Sequence, residues 1–115
     1  MATVAVTAGQ LWRRLFHIDR FIAATAGLTC QMGAHPGESA VLAAAGRQFA
    51  ATIANLRYLE GSAGNILLKQ DIADESLALG WGGRAPALGG PGLGVRVNEA
   101  KLEPFIVARH RITPW

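Results

Sequence analysis

The sequence predicts an α/β fold built on three parallel strands. Three short apolar runs recur along the chain: Thr3-Val4-Ala5-Val6-Thr7, Leu28 to Met32, and Leu56-Arg57-Tyr58-Leu59. The two intervals between them carry helical rather than strand periodicity. The second and third runs hand over to polar residues and glycines, as strands do at the carboxyl edge where α/β folds bind ligands. A β-α-β-α-β order requires parallel pairing through right-handed crossovers.

The first run is β-branched and is broken by Ala8-Gly9. From Leu11 to Ala26, the residues Leu11, Leu15, Ile18 and Ile22 share a helical face, with Arg13, Arg14, Asp19 and Arg20 mostly off it. Gly27 then reads as a helix C-cap. His17 lies inside this helix and reads as a structural histidine. The second helix runs from Glu38 to about Ala54 and sets Leu42, Ala45, Phe49 and Ile53 along one stripe. Gly46 inside it costs roughly 1 kcal/mol against alanine, which implies close packing there. Leu15, Ile22, Leu42, Phe49 and Ile53 are therefore expected to be buried against the strands.

Beyond Glu60 the pattern changes. Asn65-Ile66-Leu67-Leu68 is apolar, and Gly80 to Gly94 is crowded with glycine and proline, which is loop chemistry. Val95-Arg96-Val97 is expected to form a short strand. Asn98 can cap a brief helix over Glu99 to Leu102, limited by Pro104. Phe105 to Ile112 is expected to be a final strand. The chain thus divides into a β-α-β-α-β segment, 1–64, and a Gly/Pro-rich closing segment, 65–115, within one structural unit.

At 115 residues and 50% hydrophobic content the chain can bury a core. It cannot close an eight-fold α/β barrel, which needs about 200 residues or more. The net charge of +3 comes from scattered basic residues, so no nucleic-acid partner is expected. No stretch approaches the ~20 apolar residues that span a bilayer, so no membrane partner is expected either. The single cysteine, Cys30, excludes an internal disulfide and fits a reducing cytoplasm. The N-terminal residues lack the basic start of a signal peptide.

The chemistry concentrates in Gln31-Met32-Gly33-Ala34-His35-Pro36-Gly37-Glu38-Ser39 and in Glu60-Gly61. Glu38 and Glu60 fall at or just past the ends of neighbouring strands, and such a pair can move protons or stabilise charge. His35 and Gln31 share that rim. Taken alone, the first stretch also fits an ordinary strand-to-helix turn with a first-turn glutamate. There is no Cys/His metal cluster, no G-x-S-x-G elbow and no phosphate-binding loop.

Gln31 to Ser39, then Tyr58-Leu59-Glu60-Gly61, then Gly90-Pro91-Gly92-Leu93-Gly94-Val95 together resemble the last part of the enolase superfamily. The branch is the mandelate racemase and muconate lactonizing enzyme group, and the resemblance runs from about Val4 to Val97. It implies a partial (β/α) barrel, strands six to eight of a TIM-type barrel, followed by the Gly/Pro-rich extension. It also implies metal-assisted proton abstraction alpha to a carboxylate, with magnesium as the metal and a small carboxylic acid as substrate.

Residue by residue, Glu60 matches the strand-eight glutamate that hydrogen-bonds the substrate carboxylate or its enolic form, and Gln31 lies beside it as a substrate-binding candidate. Glu38 matches a glutamate at the strand-seven turn. His35 lies close to the racemase-branch histidine, displaced by one residue, so it is a catalytic candidate without that transferred role. Thr7 stands where related enzymes carry a lysine acid/base, in Val6-Thr7-Ala8-Gly9-Gln10. The three metal-binding acids belong to strands three to five, which this chain lacks. The resemblance therefore implies a C-terminal fragment, inactive alone and binding no magnesium by itself. The alternatives are a self-associating structural module and one chain of a split enzyme.

Overall fold

The computed structural model describes residues 3–7 and 15–110, with side chains from Arg20 onward. Strands β1 (Thr3–Thr7), β2 (Thr29–Gly33) and β3 (Leu56–Leu59) alternate with helices α1 (Leu15–Thr25) and α2 (Ala40–Ala50). The strands form one sheet in the order β1-β2-β3, parallel at both junctions. The expected order and direction are therefore observed. The expected burial of Leu15 lies outside the described side chains, and residues 111 and 112 of the expected final strand lie outside the described residues.

Gly27 does end the first helix. At φ +68° it lets its own N–H reach Ala24 O (3.1 Å) while Leu28 N–H reaches Ala23 O (2.8 Å), the paired bonds of a Schellman cap. The chain then enters β2, where alternation buries Cys30 and Met32 and leaves Gln31 half-buried between them. Cys30 packs with Ala23 of α1 and with Ile53, while Met32 packs with Ala50 of α2. Both crossover helices thus cover the same face of the sheet. The opposite face, which carries Gln31 and Tyr58, stays open at Tyr58, 53% exposed.

Pairing between β2 and β3 slips once. Cys30 faces Leu56, yet Gln31 faces Tyr58 and Met32 faces Leu59, so Arg57 is an extra residue in β3. The slip allows Leu56 and Leu59, three residues apart, both to pack at the Met32 side.

Three burial expectations need correction, at Ile22, Leu42 and Phe49. Ile22 is 57% exposed, because α1 meets β2 through Ala23, about 100° further round the helix. Leu42 is only half-buried, because α2 has two covered sides rather than one stripe. Phe49 and Ala50 meet the sheet, whereas Ala40 and Ala44 meet Ala73 and Leu77 of the following segment. Phe49 itself is half-buried, Ile53 is buried, and Gly46 is buried within the helix. The helix also begins at Ala40 rather than Glu38. Ser39 makes no side-chain cap, and the Asp71 carboxylate accepts from Ala40 N–H instead (2.9 and 3.0 Å).

Past Glu60, residues Gly64–Leu67 form a single helical turn, α3, that leaves Ile66 85% exposed. The strand expected over Val95–Val97 reduces to one antiparallel bridge between Val97 and Ala73. Helix α4 (Glu99–Leu102) is capped as expected, Asn98 Oδ1 accepting from Lys101 N–H at 3.2 Å. No strand follows it among the described residues. Glu103–Phe105 is a 3-10 turn started by Pro104, and Val107 is fully exposed with no neighbouring strand to receive it. No described helix is long and apolar enough to cross a membrane.

Candidate functional site

The register sets one edge of the sheet as a rim. Thr7 closes β1 opposite Gly33, and Glu60 follows β3 with its N–H on Met32 O at 3.0 Å. In a strand successive side chains alternate faces, so Gln31, flanked by buried Cys30 and Met32, points to the open face. Its Nε2 donates to Glu60 Oε1 at 2.6 Å. Ala34 N–H donates to Glu60 Oε2 at 2.9 Å. Both oxygens of an exposed carboxylate are thereby fixed by donors from the neighbouring strand and its turn. Glu60 also borders an open cleft of about 260 Å³ shared with Ser62, Asn65, Ile66 and Leu79.

His35 opens a tight turn. Glu38 N–H returns to His35 O (3.1 Å), and Glu38 Oε2 accepts from His35 N–H (3.2 Å). Gly37, at φ +77°, supplies the left-handed step that closes this loop. The imidazole is exposed, with Nδ1 2.9 Å from Pro36 O. A proton on Nδ1 satisfies that carbonyl and leaves Nε2 as the basic nitrogen.

Glu38 behaves differently from Glu60. It is 3% exposed and points beneath the rim, where its Oε1 meets no protein donor. The backbone over it is packed tightly: a Cβ at Gly64 would come within 2.1 Å of Glu38 O. The structure thus brings Gln31, Glu60 and the backbone of Ala34 into one hydrogen-bonded group, and places Glu38 in a separate, interior one.

Three further residues shape the site. Asp71 caps α2 from 31 positions away. Arg47, on α2, donates through Nη2 to Leu77 O at 2.6 Å, and burial lowers its pKa while leaving a cation at neutral pH. Ser62 sits two residues past Glu60 with a buried hydroxyl. Nothing in the sequence pattern singled out these three residues.

A family model described as enolase C-terminal domain-like matches residues 20–101, a span that includes Gln31, His35, Glu38 and Glu60. Comparison with curated proteins and with solved structures gives no match. With its matched span running from α1 into α4, the chain belongs to the C-terminal domain-like family of the enolase superfamily.

Proposed function

We propose that the chain is the closing arc of an enolase-superfamily barrel, corresponding to strands six to eight, and that it is catalytically inactive alone. Glu60 carries the proposal. Its carboxylate stands at the carboxyl end of β3, immobilised through both oxygens by Gln31 and Ala34, and opens on a cleft. Such preorganisation is what a group meeting a substrate carboxylate or its enolic form requires. The architecture is consistent with it: parallel strands in sequential order, with both helices on one face, are the arrangement of a barrel wall.

In the complete enzyme the reaction is removal of a proton alpha to a carboxylate, in a racemase, epimerase, cycloisomerase or dehydratase. Magnesium, which enolase-superfamily members generally use, supplies electrostatic stabilisation of the charge that develops. The donors among the described residues do not fit that ion. Among the described residues no three His, Cys, Asp or Glu side chains group together. Glu60 has both oxygens engaged, and Glu38 faces inward. Magnesium needs converging oxygen ligands, so those must come from another part of the protein or from a second chain.

What this chain contributes is orientation. Gln31 fixes the plane of the Glu60 carboxylate. Facing a substrate carboxylate, Glu60 donates a hydrogen bond when protonated and accepts one from a protonated substrate. The residue that pairs with Gly33 at the end of β1 is a threonine, Thr7, and a threonine hydroxyl cannot take up a proton at neutral pH. The chain alone should therefore give no alpha-proton exchange of small carboxylic acids in deuterated water with magnesium, followed by NMR. Exchange that Glu60→Gln abolishes would overturn the inactive reading.

A self-associating module is the second reading. Strands β1 and β3 are both edges of the described sheet, and Trp81 is 98% exposed. Sedimentation decides it: a defined dimer or larger oligomer supports association, and a compact monomer at micromolar concentration opposes it.

A further inference from the structure

Beneath the rim lies a small, partly open cavity of about 10 Å³ between α2 and the ends of β2 and β3. Glu38, Arg47 and Ser62 all line it. Each brings one buried polar atom with no partner in the protein: Glu38 Oε1, Arg47 Nη1 and Ser62 Oγ. The other polar ends of the two charged side chains are engaged, Glu38 Oε2 by His35 N–H and Arg47 Nη2 by Leu77 O. Three side chains that line one cavity and each carry an orphaned atom are not what chance burial gives, because buried polar atoms are overwhelmingly paired.

We propose that a single ordered water occupies this cavity and joins the three side chains. The size admits one water and no larger ligand, since room for one water centre is on the order of 10–15 Å³. The lining selects a neutral molecule that both donates and accepts. The carboxylate disfavours an anion, and the guanidinium disfavours a cation. Water accepts from Arg47 Nη1–H, donates to Glu38 Oε1 and exchanges its third hydrogen bond with Ser62 Oγ. That is the usual complement for a buried water.

The water ties the turn after β2, which carries His35 and Glu38, to the turn after β3, which carries Glu60 and Ser62. Glu38 and Ser62 are then positioning residues beneath the rim rather than groups that meet a ligand. Nothing in this inference depends on the catalytic reading of Glu60.

Two measurements test it on the whole chain. Oxygen-17 magnetic relaxation dispersion should detect a water held longer than molecular tumbling, and Ser62→Val, which removes the hydroxyl and fills its surroundings, should lose that contribution. Urea unfolding of Glu38→Gln, Ser62→Ala and the double variant should show coupling of at least about twofold in the folding constant. The structure gives these two side chains no direct hydrogen bond, so the coupling would report the bridge. Superimposable dispersion profiles for wild type and Ser62→Val, or a cycle that closes additively, would overturn the proposal.

Discussion

Residues 15–60 and residues 61–110 are held together by different means. The first region uses the sheet ladder and apolar burial: Cys30, Met32 and Ile53 lie in clusters joined by both helices. The second has one isolated bridge and one apolar cluster around Ala73 and Leu77, and it adds single polar side chains that reach backbone groups far away in sequence. Gln48 Nε2 donates to Leu88 O and Leu93 O, Lys101 Nζ donates to Ala73 O, and Glu75 accepts from Arg96 N–H. Periodic structure distributes its stability over many equivalent contacts. A Gly/Pro-rich segment has few side chains to pack, so it depends on a handful of contacts that are each worth more.

The comparison can be broken most directly at Met32 and Leu77, one fully buried side chain from each region. Met32→Ala and Leu77→Ala should each lower unfolding stability by about 2–5 kcal/mol in urea titrations. If the regions form one cooperative unit, both variants shift the same transition. A Leu77→Ala protein that keeps the wild-type midpoint and loses only amide protection beyond residue 70 would separate them.

Gly64 sits at the join. A methyl group there meets Glu38 O, a backbone atom with little room to give, so Gly64→Ala should cost about 1–3 kcal/mol or more in thermal or urea unfolding. A neutral result would mean that the two turns do not pack as described.

The Asp71 cap sharpens the contrast. Asp71→Ala removes the acceptor at the start of α2 and should cost about 1 kcal/mol, whereas Ser39→Ala, the local cap position, should cost well under that. Equal losses would place the cap on Ser39 and leave the second region without its hold on the first.

The smallest effect is expected from acid. Hydrogen bonds from Asn98 and then Lys101 hold the Asp74 carboxyl below its usual range, and the Arg96 N–H does the same for Glu75. Both folded-state values are depressed, so their contribution is complete above the ordinary carboxylate range, about pH 4. It is lost as pH falls through the lower folded values. Both groups are exposed, so the loss should be local: amide protection at Arg96 and Asn98 should fall before protection at Cys30. Loss at all three together would mean that the clasp contributes nothing separable.

The contrast also explains what the sequence reveals. The three parallel strands, their order and the caps at Gly27 and Asn98 are legible because each depends on neighbours within a turn or on a simple period. The contact of Gln31 with Glu60 follows once the two strands are placed side by side. Asp71 as the cap of α2 is not legible, since the residue next to that helix start, Ser39, has the expected chemistry and does not use it. The second buried side of α2 is hidden for a related reason: its cover comes from residues 73–95, where glycine and proline erase any period. The inward turn of Glu38 is not legible either, because a position beside a strand end says nothing about depth.

The extra residue at Arg57 has a consequence for how the chain can vary in length. Because pairing partners alternate faces every residue, the slip is what lets Leu59 join Met32 while Glu60 emerges beside Gln31. Exchanging the Arg57 side chain leaves that phase intact. Removing the residue would leave it intact as well, because Leu56, Tyr58 and Leu59 would then meet Cys30, Gln31 and Met32 in regular pairing; it is Arg57 held in register opposite Gln31 that would put Leu59 on the open face. At this one position the strand carries a residue more than its pairing needs, so a change of count there leaves Leu59 and Glu60 on the sides they now occupy.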